Sequence, residues 1–461
     1  MLPLQHSIRA RSTPLTLLLR KLPRAFACFA LLTAAVSTAH AFDTNWKATT
    51  SPADWLTTSN WTNGLPNANP TKNGAIQNGQ MAAITGGTPS ASLLYVDNGG
   101  VTQSAGTLKI GETYFLGYDA NTSGSYSLSG TGTLNSGSYG VVGHNGTGLF
   151  TQTGGSNQVM FLAVGNNTTG TGTYQFNSGS ISVSNNLLVG NSGTGTFIQT
   201  GGTCTCTGAS WIGQYTGGNG TYQLQGGTLN TQMDCYVGYS GTGLFINSGG
   251  IHQASSVDLG WVQGGSSTYT LTGSGHLIAG YIQFSQGGGN FIQTGGTCVV
   301  NNLLKVSGFR GSIPTYAISA GTLSTPQLSL GQDDSTFHEG GKFSITGGRA
   351  IINVGNYTQN PLATLLSMVD SSGLSPIEST GTATLSGIWQ VTDLGTPPGR
   401  IDVLDAAGGI SGTFSQVVLP NANWSWGITG NQLWLVNAPE PAPLVLLGLG
   451  GVALLGRRRS R

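Results

Sequence analysis

Few residues in this chain of 461 are equipped for chemistry, and their spacing limits what they could do. Between residues 99 and 349 the acids are Glu112, Asp119, Asp234, Asp258, Asp333, Asp334 and Glu339. Glycan hydrolysis takes two carboxyl groups flanking one bond, and most of these acids stand alone. The single cluster, Asp333-Asp334 with His338 and Glu339, has the ingredients of a calcium site or an acid/base pair. A solvated loop is the preferred reading, because calcium motifs of repeat proteins recur along the array and this one does not. Cys204, Cys206, Cys235 and Cys298 lack zinc-ligand spacing. Cys204 and Cys298 follow a phenylalanine by seven residues, where neighbouring units place Leu229 and Leu323. They are expected to be small core residues, and His252 and His276, at the same offset, are expected in the core with them. Cys206 and Cys235 sit at other offsets and are not expected to bridge. Nucleophile elbows and phosphate loops are missing. The residues therefore predict no catalytic, metal or cofactor site and no enzyme. A β-helix polysaccharide lyase or hydrolase is the alternative.

Chemistry performed on the chain is better marked than chemistry performed by it. Pro439-Glu440-Pro441 precedes an apolar run from Ala442 to Leu455, and Arg457, Arg458, Arg459 and Arg461 follow. As a helix the run covers only about 22 Å, against roughly 20 residues for a comfortable span. The arginines read as a cytoplasmic membrane stop. A plain anchor or a buried terminal helix are the alternatives. This order of motif, short apolar segment and basic end resembles the PEP-CTERM sorting signal of Gram-negative bacteria, over residues 438–461. Ala438 stands where many members have valine. The resemblance implies processing by an exosortase-type membrane protease, transient anchoring in the inner membrane, and delivery to the cell surface or a biofilm matrix.

The other end agrees. Arg9, Arg11, Arg20, Lys21 and Arg24 lead into an apolar stretch from Ala25 to Thr38, followed by Ala39-His40-Ala41. A basic leader, an apolar core and an A-x-A site predict a secretory signal peptide over residues 1–41, cut by signal peptidase after Ala41. The whole chain carries +1. Residues 42–441 keep eight Lys/Arg against sixteen Asp/Glu, net −8. A dilute acidic chain has no electrostatic reason to bind nucleic acid or anionic lipid. Only 7% of residues are charged, so hydroxyls and amides supply the polarity. That surface suits neutral glycans or self-association.

These residues must be positioned by a repeat. Tyr126, Phe150, Tyr174, Phe197, Tyr222, Phe245, Tyr269, Phe291 and Tyr316 recur every 22 to 25 residues, with Tyr and Phe alternating. Val101 and Phe343 extend the series to eleven units. A second marker is an aliphatic–Gly pair, as in Leu116-Gly117, Val189-Gly190 and Leu259-Gly260. A third short strand, such as Ile181-Ser182-Val183, lies between them. Two or three short strands per unit, split by Gly, Asn and Ser turns, predict an all-β chain. Coils stacked about 4.8 Å apart make a parallel β-helix, or β-solenoid, with a rod roughly 50 Å long. A propeller needs blades of about 40–45 residues and is the weaker fit to the 24-residue beat.

The array is expected over 99–349. Residues 42–98, with Trp46, Trp55 and Trp61, are expected to cap it, and 350–437 to form a small β-rich module. Two residues after each phenylalanine stand Gln152, Gln199, Asn247 and Gln293, where tyrosine units carry Leu128, Phe176, Leu224, Leu271 and Ile318. Either these amides are buried and hydrogen-bonded, or Ile198, Ile246 and Ile292 turn inward instead. Units such as Gly193-Thr194-Gly195-Thr196-Phe197-Ile198-Gln199-Thr200-Gly201-Gly202 resemble the β-strand repeats of surface proteins related to autotransporter passengers. The expected function is an exported structural or adhesive protein associated with exopolysaccharide or with itself.

Overall fold

Each unit folds because its apolar residues alternate at a period of two within short runs broken by glycine. In Thr194–Gln199 the inward positions Gly195, Phe197 and Gln199 are buried, and the outward ones meet solvent. The computed structural model describes residues 42–67, 72–309, 311–333, 338–395 and 399–438. They form a parallel β-solenoid of about 14 turns, each of roughly 24 residues. From Met81 on, the coils contribute rungs to three ladders. The first holds the aromatic series, as in Ser123–Leu128 and Asn219–Leu224. The second includes Thr133–Ser136 and Thr203–Cys206. The third includes Tyr114–Leu116 and Ser210–Ile212.

The ladders run further than the aromatic series. Thr44–Asn45 and Ala53–Asp54 already pair in parallel with Gly74–Ile76 and Met81–Thr85. Lys342–Thr346 passes the first ladder on to Thr364–Val369 and Ile388–Asp393. Ala82 and Val101 hold the register of Tyr126, and Leu365 and Trp389 that of Phe343. Strand pairing needs only backbone, so the end coils keep it with other side chains in the column.

The two ends are closed differently. Trp46 and Trp55 pack edge-on to Trp61, each with ring centroids 4.9 Å apart. At the other end Gly399–Ala406 pairs antiparallel with Gln432–Asn437, which pairs antiparallel with Trp424–Thr429. That hairpin turns the last edge aside from further parallel addition.

Inside, the aromatic rings from Tyr126 to Tyr316 stack at 4.5–5.0 Å with interplanar angles of 4–8°. Parallel rungs impose this near-sandwich geometry. The amides after each phenylalanine are buried with them, and the three glutamines are satisfied across coils. Gln199 donates to the carbonyls of Gly202 (3.2 Å) and Thr228 (3.0 Å), and Tyr222 of the next coil donates its hydroxyl to Gln199 Oε1 at 2.5 Å. Gln152 with Tyr174, and Gln293 with Tyr316, repeat the arrangement. The Tyr/Phe alternation follows: a buried amide in one coil takes the hydroxyl supplied by the next. Asn247 is one methylene shorter. It reaches the His276 carbonyl at 3.1 Å, its Oδ1 has no partner, and Tyr269 pairs with His252 Nδ1 at 3.1 Å instead.

Cys204, Cys206, Cys235 and Cys298 are buried free thiols. Burial pushes the Cys206 thiol up to about 11 and Cys298 to about 12, so both stay protonated. His252 is fully buried and stacks on Phe245 at 4.6 Å. His276 departs from expectation. It pairs with Ile251, and Leu277 takes the core position opposite His252. The turn Thr272–Gly275 is one residue longer than its counterpart, and one residue flips the face.

Candidate functional site

The sequence-predicted processing sites, Ala39 and Ala41 at one end and Pro439, Glu440, Pro441, Arg457, Arg458 and Arg459 at the other, lie outside the described residues. So does the apolar run 442–455. Among the described residues no helix is long and apolar enough to cross a membrane. Nor do they contain a group of three or more His, Cys, Asp or Glu placed to hold a metal.

Two exterior surfaces stand out. The first is the outer face of the first ladder. Thr171, Thr194, Asn219, Thr242 and Ser266 are paired rung to rung, as are Thr173, Thr196, Thr221, Leu244 and Thr268. From Ser123 to Gln293 no strand of this ladder carries a charged residue. Eight rungs at about 4.8 Å give a flat, uncharged face roughly 34 Å long.

The second is the outer face of the third ladder. Its central column runs Tyr95, Phe115, Val141, Ala163, Leu188, Trp211 and Tyr236, all buried although they point away from the core. The loops after the strands cover them. Each loop leaves through the glycine of the aliphatic–Gly marker, at φ between +63° and +76° from Gly117 to Gly260. A Cβ at Gly165 would also run into the Thr194 carbonyl, so the marker is glycine for two reasons. The residue after it then folds back as a roof. Tyr118 stacks on His144 at 4.8 Å, Asn166 bonds His144 Nδ1 at 3.1 Å, and Asn191 donates to Asn166 at 3.1 Å. Burial lowers His144 to about 4, which keeps the ring neutral near pH 7.

The roof and the column change together after Tyr236. The next residues in register are Asp258, Gln283 and Lys305. After Leu259-Gly260 the marker fails: the following coils carry Phe284-Ser285 and Val306-Ser307. A cavity of about 370 Å³ opens there, lined by Trp261, Gln283, Phe284, Ser285, Gln286, Lys305, Phe309, Gln332 and Glu339. Trp261 is 38% exposed and meets Tyr236 edge-on at 5.4 Å. Lys305 donates through Nζ to Gln332 Oε1. Glu339 accepts from the Ser307 hydroxyl at 2.9 Å. Gln332 and Glu339, paired in a small antiparallel bridge, line this wall, so Glu339 of the acidic cluster seen in the sequence borders the cavity.

Beside the cavity, Asp258 is 1% exposed. Its Oδ2 accepts from Ser256 at 2.9 Å, and its Oδ1 has no partner. Burial raises its carboxyl to about 7; Ser256 opposes the shift and Asp234 adds to it. Tyr236 donates to Asp234 at 3.2 Å, and burial raises that acid as well.

Reading the sequence missed Trp261 and Lys305 and left Asp258 among the solitary acids. The available signal was the break in the aliphatic–Gly marker. Comparison with family models, curated proteins and solved structures finds no match for this chain.

Proposed function

We propose that this protein is an exported structural or adhesive rod of the cell surface or extracellular matrix, sorted through its C-terminal tail and associated with polysaccharide or with itself. The carrying observation is the uncharged first-ladder face, built on a core whose buried amides are bonded from coil to coil. Such a face meets a neutral polymer through hydroxyls and amides over many rungs. It offers nothing to a phosphate backbone. The Pro-Glu-Pro motif and terminal arginines supply the address.

The test compares mature mass and location in cells with and without the tail-processing protease. Loss of the segment after about Pro441, with the chain recovered in the matrix, is the expected outcome. An intact tail held in the inner membrane overturns the sorting reading.

The cavity supplies the observation for the alternative, a glycan-active enzyme of β-helix type. Hydrolysis takes two carboxyl groups with access to one glycosidic bond. Glu339 borders the cavity, but Asp258 is covered. Binding therefore fits this geometry better than cleavage. Release of reducing ends from a polysaccharide by the purified chain would reverse that order.

A further inference from the structure

The break in the third ladder is a change in two features over neighbouring rungs, both of them present at Gln283 and Lys305. The central column turns from apolar to polar at Asp258, Gln283 and Lys305. The loop glycine that builds the roof is replaced by Ser285 and then Ser307. Either change alone would be a local variant. A polar floor laid where the roof is missing leaves amide and charged groups facing an open volume.

We propose that this cavity is a subsite for an uncharged sugar residue of a polysaccharide, with Trp261 as the stacking wall and Gln283, Lys305 and Glu339 as hydroxyl partners. The proposal deepens the polysaccharide association stated above and rests on it.

Sugar rings present apolar C–H faces and a rim of hydroxyls that both donate and accept. Trp261 borders the cavity and is held in place by Tyr236 and by Tyr239, whose ring lies nearly parallel to it at 6.5 Å. An ammonium donates three hydrogen bonds and a carboxylate accepts about four. Lys305 and Glu339 therefore keep capacity after their contacts with Gln332 and Ser307. Among the described lining residues there is one cation and one anion. An anionic ligand would face Glu339 and a cationic one Lys305, so an uncharged, hydroxyl-rich ligand is the complementary one. The volume falls at the low end of ligand pockets, about 300–1,000 Å³, which suits a sugar unit rather than a long chain segment. Asp258 lies one rung from Gln283 in the same column, beneath the cavity rather than on its lining.

The experiment titrates the exported full chain with neutral hexasaccharides of glucose, galactose, mannose and N-acetylglucosamine, and with the neutral fraction of the producing cell's own exopolysaccharide. Polygalacturonate is the anionic comparator. Tryptophan fluorescence and affinity electrophoresis read binding for the wild type, Trp261→Ala, Trp261→Phe, Lys305→Met and Glu339→Gln; circular dichroism checks their fold. At least one neutral ligand should bind. Trp261→Ala and Glu339→Gln should each weaken it about tenfold, equal to about 1.4 kcal/mol, and Trp261→Phe should retain part of the affinity. Equal binding by wild type and all variants places the contact elsewhere: it overturns the subsite and leaves polysaccharide association standing. Tighter binding of polygalacturonate, lost in Lys305→Met, overturns the uncharged assignment. No binding of any ligand overturns the subsite and the association together.

Discussion

Gln199 shows how one side chain can hold two coils together. Its amide meets two half-buried carbonyls and one buried hydroxyl. Gln199→Leu strands the Tyr222 hydroxyl, whereas the Gly202 carbonyl keeps the Thr228 N–H at 2.9 Å, and an orphaned buried group costs about 1–3 kcal/mol. Adding Tyr222→Phe removes the stranded hydroxyl. The double variant should therefore be less destabilised than the sum of the singles, a coupling that denaturant unfolding in a double-mutant cycle will measure. Asp258 makes a second residue-scale case. Its carboxyl titrates at about 7 when folded, above its ordinary 3.8. Its contribution to stability is full below about pH 4 and is lost as pH rises through 7, because the unfolded chain ionises first. Asp258→Asn should flatten that loss and be the more stable form at pH 8, by thermal midpoint. His144 works in the opposite sense: its folded value of about 4 lies below 6.5, so its contribution is present above 6.5 and lost as pH falls through 4. Comparing Asp258→Asn with wild type isolates the carboxyl from this.

At the scale of the strand and its loop, the aliphatic–Gly marker sets the exterior of the third ladder. Gly165 has φ +72°, and left-handed backbone costs an L-residue about 1–2 kcal/mol before any clash. Gly165→Ala should destabilise by more than about 1 kcal/mol and speed hydrogen exchange first in the coils holding Val164 and Thr194. The marker also shows what could be read from the chain. The 24-residue beat, the three strands per coil and the inward aromatics are short-range patterns, visible as periodicity. Burial of the glutamines was not decidable, because Ile198 and Gln199 offer opposite faces and the choice depends on a hydroxyl one coil away. The misplaced His276 has a similar cause: fixed offsets fail where a turn gains a residue. The cavity was hidden because its residues, Trp261, Lys305 and Glu339, are far apart in sequence and meet only through register.

At the scale of the whole rod, the ends decide whether it stays single. Parallel ladders expose unpaired backbone at each terminus. The hairpin of Trp424–Thr429 and Gln432–Asn437 lies antiparallel against Gly399–Ala406. A chain stopped before Gly399 loses that closure and should sediment as larger species than the full chain. Unchanged sedimentation would assign the hairpin some other role.

The bond from Gln199 to Tyr222 also bears on inheritance. A duplication or deletion of one coil would set two amides, or two hydroxyls, on adjacent rungs and strand one of them in the core. A change of two coils preserves parity. Gene-level recombination in such a sequence is therefore filtered into steps of about 47 residues, and the reach of the rod can grow or shrink only in increments of about 10 Å.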